Sequence, residues 1–245
     1  MTKKLLLASV VTVFAASGAC AADLVEPAVY DWTGPYIGLN AGVGIGDSSV
    51  ESILDGAFVG DPFYDPYAHT FENDKVGFTG GVTAGYNWQI DNFVLGLEGD
   101  FNYLDSKDSE SVRDPLPVNL DFETKIDWFA TVRPRLGLAF ESILLYITGG
   151  LAIGDVSSDV DVNDSGSYSW SGSQSKTALG WTIGGGGEWA FSDGWSIKAE
   201  YLWVDLGSDT FDLDNDPANP LQEYTLKAKA DYQFSVARVG LNFRF

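Results

Sequence analysis

The last thirteen residues, 233–245, alternate between apolar and polar side chains and end on an aromatic residue. Successive side chains of a β-strand face opposite sides, so the pattern predicts a strand with one apolar face. In a membrane barrel such a face meets lipid, and the last strand pairs with the first so that no edge stays open. The apolar face comprises Ala237, Val239, Leu241, Phe243 and Phe245.

Seven further segments show the same period of two. Including the last, the predicted strands are 34–46, 76–89, 93–104, 125–140, 143–154, 177–191, 195–205 and 233–245. Short connections near Asp91, Glu141 and Asp193 alternate with long ones at 47–75, 105–124, 155–175 and 206–230. This order predicts an all-β fold, an eight-stranded antiparallel up-and-down transmembrane barrel with periplasmic termini and four long extracellular loops. Pro134 predicts weak pairing or a bulge in the fourth strand.

Aromatic residues on the outward parity fall at two heights, as expected for belts at the two membrane surfaces. The turn-end belt comprises Trp88, Phe93, Phe140, Trp189, Phe191, Trp195 and Phe245. The loop-end belt comprises Phe78, Tyr103, Trp128, Trp181 and Trp203. A soluble lipocalin-like barrel would instead bury its apolar face and leave these belts around a charged exterior. The pattern favours the membrane barrel.

The N-terminus has the features of a secretory signal. Lys3 and Lys4 precede an apolar core that is too short to span a bilayer, and small residues follow it at 19–21. We expect residues 1–21 to be the signal peptide, 22–33 a mobile periplasmic tail and 34–245 the barrel. Cys20 leaves a lipoprotein alternative open, although its lipobox-like context lacks the large aliphatic residue three positions upstream.

Composition excludes several classes of function. The chain has 35 acidic and 14 basic residues, and this negative charge disfavours binding to nucleic acid. One cysteine and one histidine provide neither a disulfide framework nor a zinc site. His69 has no recognisable nucleophile or acid partner around it, so we expect no enzymatic activity and no cofactor.

Charged residues on the inward parity occur at matching depths. An eight-stranded barrel is just wide enough for side chains to fill its interior, where unpaired charges are costly. The sequence therefore predicts a lumen charge network, with either a static closed core or a narrow gated path. Its members are Glu98, Asp100, Arg133, Arg135, Glu188, Lys198, Glu200 and Arg238, with pairs expected between Glu188 and Lys198 and between Glu200 and Arg238.

The predicted loops are strongly acidic, with 22 acidic and 6 basic residues counted over 47–75, 105–124, 155–176 and 207–230. Asp212, Asp214 and Asp216 have the spacing that opens a calcium loop but lack its glycine and distal glutamate, so calcium is a weak candidate. A solvated acidic surface near lipopolysaccharide is the plainer interpretation.

Several motifs resemble the alphaproteobacterial outer-membrane immunogenic protein family, small barrels similar in architecture to the OmpA transmembrane domain. They are WTGPYIG at 32–38, GYNW at 85–88, GLEGD at 96–100, RPRLG at 133–137, KAEY at 198–201 and RVGLNFRF at 238–245. The resemblance implies an outer-membrane location, envelope-structural and surface-antigen roles, and no catalytic residues.

These features predict a structural outer-membrane barrel that contacts outer-membrane lipid and lipopolysaccharide. We expect Val239, Leu241, Phe243 and Phe245 to form the assembly signal that the barrel-assembly machinery recognises. The alternatives are a narrow porin for small solutes and a surface adhesin or receptor acting through acidic loops. The sequence does not indicate an oligomeric state.

Overall fold

A computed structural model describes residues 30–46, 48–56, 70–73, 76–113, 118–164, 169–217 and 224–245. The predicted signal peptide, with Cys20, residues 22–29 of the tail, and His69 lie outside these residues. The described strands are β1 (Gly34–Gly46), β2 (Ser48–Gly56), β3 (Thr70–Asn73), β4 (Val76–Ile90), β5 (Phe93–Arg113), β6 (Val118–Phe140), β7 (Ile143–Asp164), β8 (Ser169–Ser192), β9 (Trp195–Asn215) and β10 (Tyr224–Arg244). The described residues contain no helix long and apolar enough to cross a membrane.

Eight of these strands close into a ring. β1 and β4 to β10 pair antiparallel in order, and β10 returns to pair with β1 from Gly46↔Phe234 to Tyr36↔Arg244. The predicted eight-stranded antiparallel barrel and its closing C-terminal strand are therefore confirmed.

The first long connection was predicted as a loop throughout, and this is wrong. β2 continues along β10 beyond the end of β1, pairing Val50 with Ala230. β3 pairs with the start of β2 and precedes β4 directly in the chain. These two strands thus lengthen the wall at the loop end.

The other predicted loops are also partly strand. β5 to β10 contain between 21 and 24 residues each, whereas about ten tilted residues cross a bilayer. The additional lengths, together with β2, form a continuation of the barrel wall that we call the extension. The strand ends predicted at 104, 154 and 205 were therefore too early.

The lower, membrane-spanning part of the barrel has apolar side chains outside and polar ones inside, and the extension has the opposite arrangement. On β7, Ile147 is exposed and Thr148 buried in the lower part, whereas Asp161 is exposed and Val162 buried in the extension. Because the surroundings change from hydrocarbon to water, the same alternation turns its apolar side inward. The extension consequently encloses an apolar cluster that includes Phe122, Val160, Trp170, Leu213, Tyr232 and Phe234.

A bulge at Asp127 corrects one detail of the fourth predicted strand. In the predicted strand 125–140, Trp128 faces outward, so the period of two also predicts Ile126 outward and Asp127 inward. In the structure Ile126 pairs with Val156 and Trp128 with Asp155, so Asp127 is the extra residue that reverses the parity. Ile126 is buried in the apolar cluster, while the Asp127 carboxylate lies 2.6 Å from the Lys125 ammonium at the surface.

Pro134 interrupts the ladder as predicted. Pairing between β6 and β7 stops at Val132 and resumes at Arg135 in the same register. Proline has no N–H to donate. The Thr148 hydroxyl donates instead to the Pro134 carbonyl at 2.9 Å.

At the turn end, residues 30–33 form what we call the N-terminal strap. Trp32 is only 2% exposed and packs with Leu144 and Tyr146. The backbone N–H of Trp32 donates to Gln89 Oε1 at 2.7 Å, and the Arg244 guanidinium lies 4.4 Å from the centre of the Tyr30 ring. The sequence had placed these four residues in a mobile tail, because a segment without periodicity gives no sign that its aromatic rings are buried.

Candidate functional site

The eight predicted lumen residues all lie inside the barrel. They are the buried charged residues of the described chain, four carboxylates and four cations, so their formal charges cancel. β5 contributes Glu98 and Asp100, β6 Arg133 and Arg135, β8 Glu188, β9 Lys198 and Glu200, and β10 Arg238. Alternation within each strand points these side chains toward the axis.

Arg133 lies at the centre of this charge network. Its Nη2 is 2.7 Å from both Glu98 Oε1 and Asp100 Oδ2, and its Nη1 is 3.4 Å from Glu200 Oε1. Glu98 faces Arg133 directly across the β5–β6 ladder, whereas Glu200 belongs to β9. One guanidinium therefore connects strands on opposite sides of the ring.

Arg238 forms a second connection across the lumen. Its Nε donates to Glu200 Oε2 at 2.8 Å, which is the pair expected from the sequence, and its Nη1 donates to Asn102 Oδ1 at 3.1 Å. Its Nη2 is also 3.2 Å from Asp100 Oδ2. Asp100 further accepts a hydrogen bond from the Thr131 hydroxyl at 2.7 Å.

The expected ion pair between Glu188 and Lys198 does not form, although the two residues face each other in the ladder. The Lys198 ammonium instead reaches Glu98, with Nζ 2.9 Å from Oε2. Glu188 accepts from Arg135 Nη2 at 2.9 Å and from the Ser196 hydroxyl at 2.6 Å. The position of a residue in the ladder fixes its height along the barrel axis. The lysine side chain is long enough, however, to reach a partner on the other side of the lumen.

Two tyrosines complete the network and were not assigned to it from the sequence. The Tyr36 hydroxyl donates to Glu98 Oε2 at 2.7 Å, and the Tyr146 hydroxyl donates to Glu200 Oε1 at 2.9 Å. The Arg135 guanidinium lies 4.3 Å from the centre of the Tyr146 ring. Their inward parity was the available signal, because both sit on the same face as charged neighbours.

Buried apolar residues lie on both sides of the network. The apolar cluster lies within the extension on one side, and Trp32 of the N-terminal strap lies on the turn side. The strap is held partly by Asp31, whose carboxylate accepts the Thr33 N–H at 2.9 Å. That hydrogen bond lowers the pKa of Asp31.

The residues predicted for the aromatic belts lie on the outside of the barrel. Trp128 and Trp203 are half-buried because their rings pack on Phe101 and Trp181, at 5.5 and 4.8 Å between ring centres. The exposed members are Trp88, Phe93, Phe140, Trp189, Phe191, Trp195, Phe245, Phe78, Tyr103 and Trp181.

The weak calcium candidate is not built as a loop. Asp212 and Asp214 lie on β9, where side chains two residues apart project in parallel and do not converge on one point. Asp212 is 3.7 Å from the Lys227 ammonium, and Asp216 accepts from the Ser169 hydroxyl. Among the described residues no group of three or more acidic, histidine or cysteine side chains could hold a metal ion.

A closed ring of eight antiparallel strands, an apolar belt facing outward and ionised groups sealed inside define an integral β-barrel of the outer membrane. The family profile described as outer membrane protein beta-barrel domain matches residues 9–245, and the chain belongs to this family.

Its relatives agree with this assignment. The chain is 39% identical over 269 positions to the 31 kDa outer-membrane immunogenic protein of Brucella melitensis, with 99% of this chain and 100% of the relative covered. It is 37% identical over 140 residues to the 22 kDa outer membrane protein of Rhizobium leguminosarum bv. viciae, 57% of each chain. The resemblance inferred from the sequence motifs is therefore confirmed.

Solved structures with a related shape include OprG of Pseudomonas aeruginosa, at 14% identity and a TM-score of 0.49 over 87% of this chain and 97% of that one. Neisserial surface protein A has 12% identity and a TM-score of 0.43 over 87% and 98%. The fold assignment rests on the strand ring and the family match.

Proposed function

We propose that the protein is a structural barrel with a sealed lumen that contributes to the integrity of the outer membrane and presents an acidic surface. The observation that supports this most is the charge balance of the lumen network, in which each carboxylate has a cation within 3 Å. The buried ionised groups all act as ion-pair partners, so the proposal includes no catalytic step.

The network favours a static seal for an energetic reason. Removing one partner of a buried ion pair costs about 3–5 kcal/mol, because the other charge stays in a medium of low polarity. Arg133 alone contacts three carboxylates, so opening the lumen would separate several pairs together. The apolar cluster and Trp32 would also have to move.

Planar-bilayer recording tests the seal. We expect the refolded protein to show no large, steady open conductance. Steady conductance of the unaltered barrel would contradict the sealed lumen and support the narrow-porin alternative.

The outward face of the extension supports a role in surface presentation. Asp121 and Asp161 lie opposite each other, as do Glu123 and Asp159, and Asp121, Asp159 and Asp161 are exposed. We propose that this acidic face is the antigenic surface and that it lies beside lipopolysaccharide. The Brucella relative carries the word immunogenic in its name. An adhesin role is the alternative, and it predicts ligand binding that is lost when these carboxylates become amides.

The C-terminal strand is proposed as the assembly signal. Val239, Leu241 and Phe245 are exposed on the lipid side of β10, and Phe243 contacts Phe245 with 5.2 Å between ring centres. We expect Phe245→Ala to lower the amount of barrel assembled in cells while refolding in detergent is unchanged. Ser235→Ala on the same strand is the control. Equal assembly of the two variants would contradict the proposal.

A further inference from the structure

The wall of the extension is interrupted between β8 and β9. These strands pair continuously from Ala190↔Ser196 to Trp181↔Asp205 and again at Ser171↔Asp214, one register step away. Between these points no residue of 172–180 pairs with a residue of 206–213. On the other side of β8, pairing with β7 is unbroken from Asn163↔Ser169 to Ile143↔Trp189. We call the unpaired stretch the β8–β9 slit.

One ion pair spans this slit. The Lys176 ammonium of β8 lies 2.7 Å from Asp209 Oδ2 of β9, and both side chains are only 30% exposed. The other carboxylate oxygen, Asp209 Oδ1, accepts the N–H of Thr210. Side chains thus replace part of the missing ladder and hold the slit closed.

A local irregularity in the backbone of β9 lies where the slit begins. Gly207 has a φ of +80°, a left-handed conformation that favours glycine, and its N–H donates to Asp205 Oδ1 at 2.8 Å. No atom lies within 4 Å of the position a Cβ would occupy there. β9 therefore has an irregular backbone directly above Asp205, where its pairing with β8 ends, with open space beside Gly207.

The position of the slit relates it to the membrane surface. It begins next to Trp181 and Trp203 of the loop-end belt, where hydrocarbon gives way to water. Unpaired backbone groups are not tolerated inside hydrocarbon, and the slit starts where that restriction ends.

The interior behind the slit is apolar. Trp170 and Ala178 of β8, together with Leu206 and Leu213 of β9, belong to the apolar cluster. The Lys176 ammonium lies 5.9 Å from the centre of the buried Tyr232 ring, just inside the wall. An acidic outer surface repels anions, and the apolar cluster contains no charged side chain, so the matching ligand is uncharged and apolar.

We propose that the β8–β9 slit is a lateral gate, latched by the Lys176–Asp209 ion pair, through which an uncharged apolar molecule reaches the interior of the extension from the membrane surface. The gate is independent of the sealed lumen, because the charge network lies below the apolar cluster. An ion pair that stays partly accessible to solvent is a weak restraint, which suits a latch that opens repeatedly.

Hydrogen exchange of the full chain in lipid nanodiscs tests the gate. We expect the alternate amides of 173–179 and 207–212 that point toward the slit to exchange about tenfold faster than amides of the β6–β7 ladder at similar height. In the extension that ladder is unbroken from Val118↔Asp164 to Ile126↔Val156. Lys176→Gln should accelerate exchange at the slit and leave β6–β7 unchanged. Equal exchange in the two regions, or no response to Lys176→Gln, would overturn the gate.

Reversible cross-linking tests passage of the ligand. In Lys176→Cys/Asp209→Cys, a cleavable bis-maleimide should abolish binding of N-phenyl-1-naphthylamine above the empty-nanodisc background, and reductive cleavage should restore it. The matched control is Lys125→Cys/Ser157→Cys. These residues face each other across the part of the β6–β7 ladder that is unbroken in the extension, from Val118↔Asp164 to Ile126↔Val156. Binding that is unaffected by the slit cross-link, or lost equally in the control, would overturn the proposal.

Discussion

Glu98 is the carboxylate on which three cations of the lumen converge. Arg133, Arg135 and Lys198 all approach its oxygens, and the Tyr36 hydroxyl donates to Oε2. Because these partners come from different strands, one side chain fixes the relative positions of much of the ring. The contribution of Glu98 to the stability of the barrel therefore depends on every one of these partners remaining in place.

Replacing Glu98 by glutamine should destabilise the barrel strongly. The amide keeps the shape of the side chain but removes the carboxylate partner of Lys198 and leaves the buried network with one excess positive charge. We therefore expect the unfolding free energy to fall by about 3–5 kcal/mol. Urea unfolding in lipid vesicles, followed by gel mobility, measures it. Asp159→Asn, exposed on the extension, should change it by less than about 0.5 kcal/mol. Equal midpoints would contradict the network's role.

Asp31 should titrate below an ordinary aspartate. The Thr33 N–H stabilises its charged form, so the pKa of Asp31 is lowered. The stabilising contribution is present above the unfolded pKa of about 4 and is lost as the pH falls through the lowered folded pKa. The Thr33 amide proton shift should follow this titration, and Asp31→Asn should remove it. A midpoint at or above the ordinary value would be inconsistent with this hydrogen bond.

Among the structural elements, the N-terminal strap contacts several parts of the turn end at once. Four residues outside any strand place a tryptophan in the turn-end mouth and connect to two turns, through Gln89 near one and through the Tyr30 N–H to the Glu141 carbonyl at the other. The strap also brings Tyr30 under Arg244 of the closing strand. It therefore secures the end of the ring where the first and last strands meet.

Trp32→Ala should lower the unfolding free energy by about 3–5 kcal/mol, the usual cost of emptying a buried aromatic site. Hydrogen exchange at residues 30–33 should rise together with the change in urea midpoint. Asp31→Asn changes the same strap at an exposed position and should cost less than about 1 kcal/mol. A Trp32 variant as stable as the Asp31 variant would show that the strap does not seal the mouth.

Close approach of β7 to β6 at Gly150 leads to a second prediction at the scale of the structural elements. A Cβ at Gly150 of β7 would lie 2.2 Å from the Val132 carbonyl oxygen, whereas at Gly99 of β5 the nearest atom is 3.6 Å away. We expect Gly150→Ala to cost about 1–3 kcal/mol and Gly99→Ala to be nearly neutral, again by urea unfolding. Equal losses of unfolding free energy in the two variants would mean that the strands at Gly150 can move apart to accommodate a methyl group.

At the scale of the whole molecule, the barrel has two environments along one axis. The lower part is polar inside and apolar outside, and the extension is the reverse. The boundary lies where Trp128 pairs with Asp155 and Trp181 pairs with Asp205. The extension therefore forms a protruding collar, which we infer to be extracellular.

Cysteine labelling of intact cells tests this orientation. We expect a membrane-impermeant maleimide to label Asp159→Cys in the extension at once and Ser142→Cys in a short turn only after permeabilisation. Leu145→Cys, exposed on the lipid side, should resist labelling in both cases. Labelling of the turn first would reverse the proposed orientation.

The sequence by itself determined the number of strands in the ring, the closure of the ring and the residues of the charge network. A period of two fixes which side chains share a face, and the need to close every edge in lipid fixes the pairing of the last strand with the first. The family motifs agree with this result. These inferences need only local pattern and the chemistry of hydrocarbon.

Only the tertiary structure decided the length of the strands, the partner of Lys198, the burial of Trp32 and the β8–β9 slit. The sequence was interpreted with the apolar side chains facing outward toward lipid. Beyond Ile153 the outside of the barrel is water, so the valines of β7 face inward instead. This part of β7 was therefore predicted to be a loop. Partner choice across the lumen and the packing of a non-periodic segment depend on distances between strands far apart in the chain. Period and composition contain no such distances.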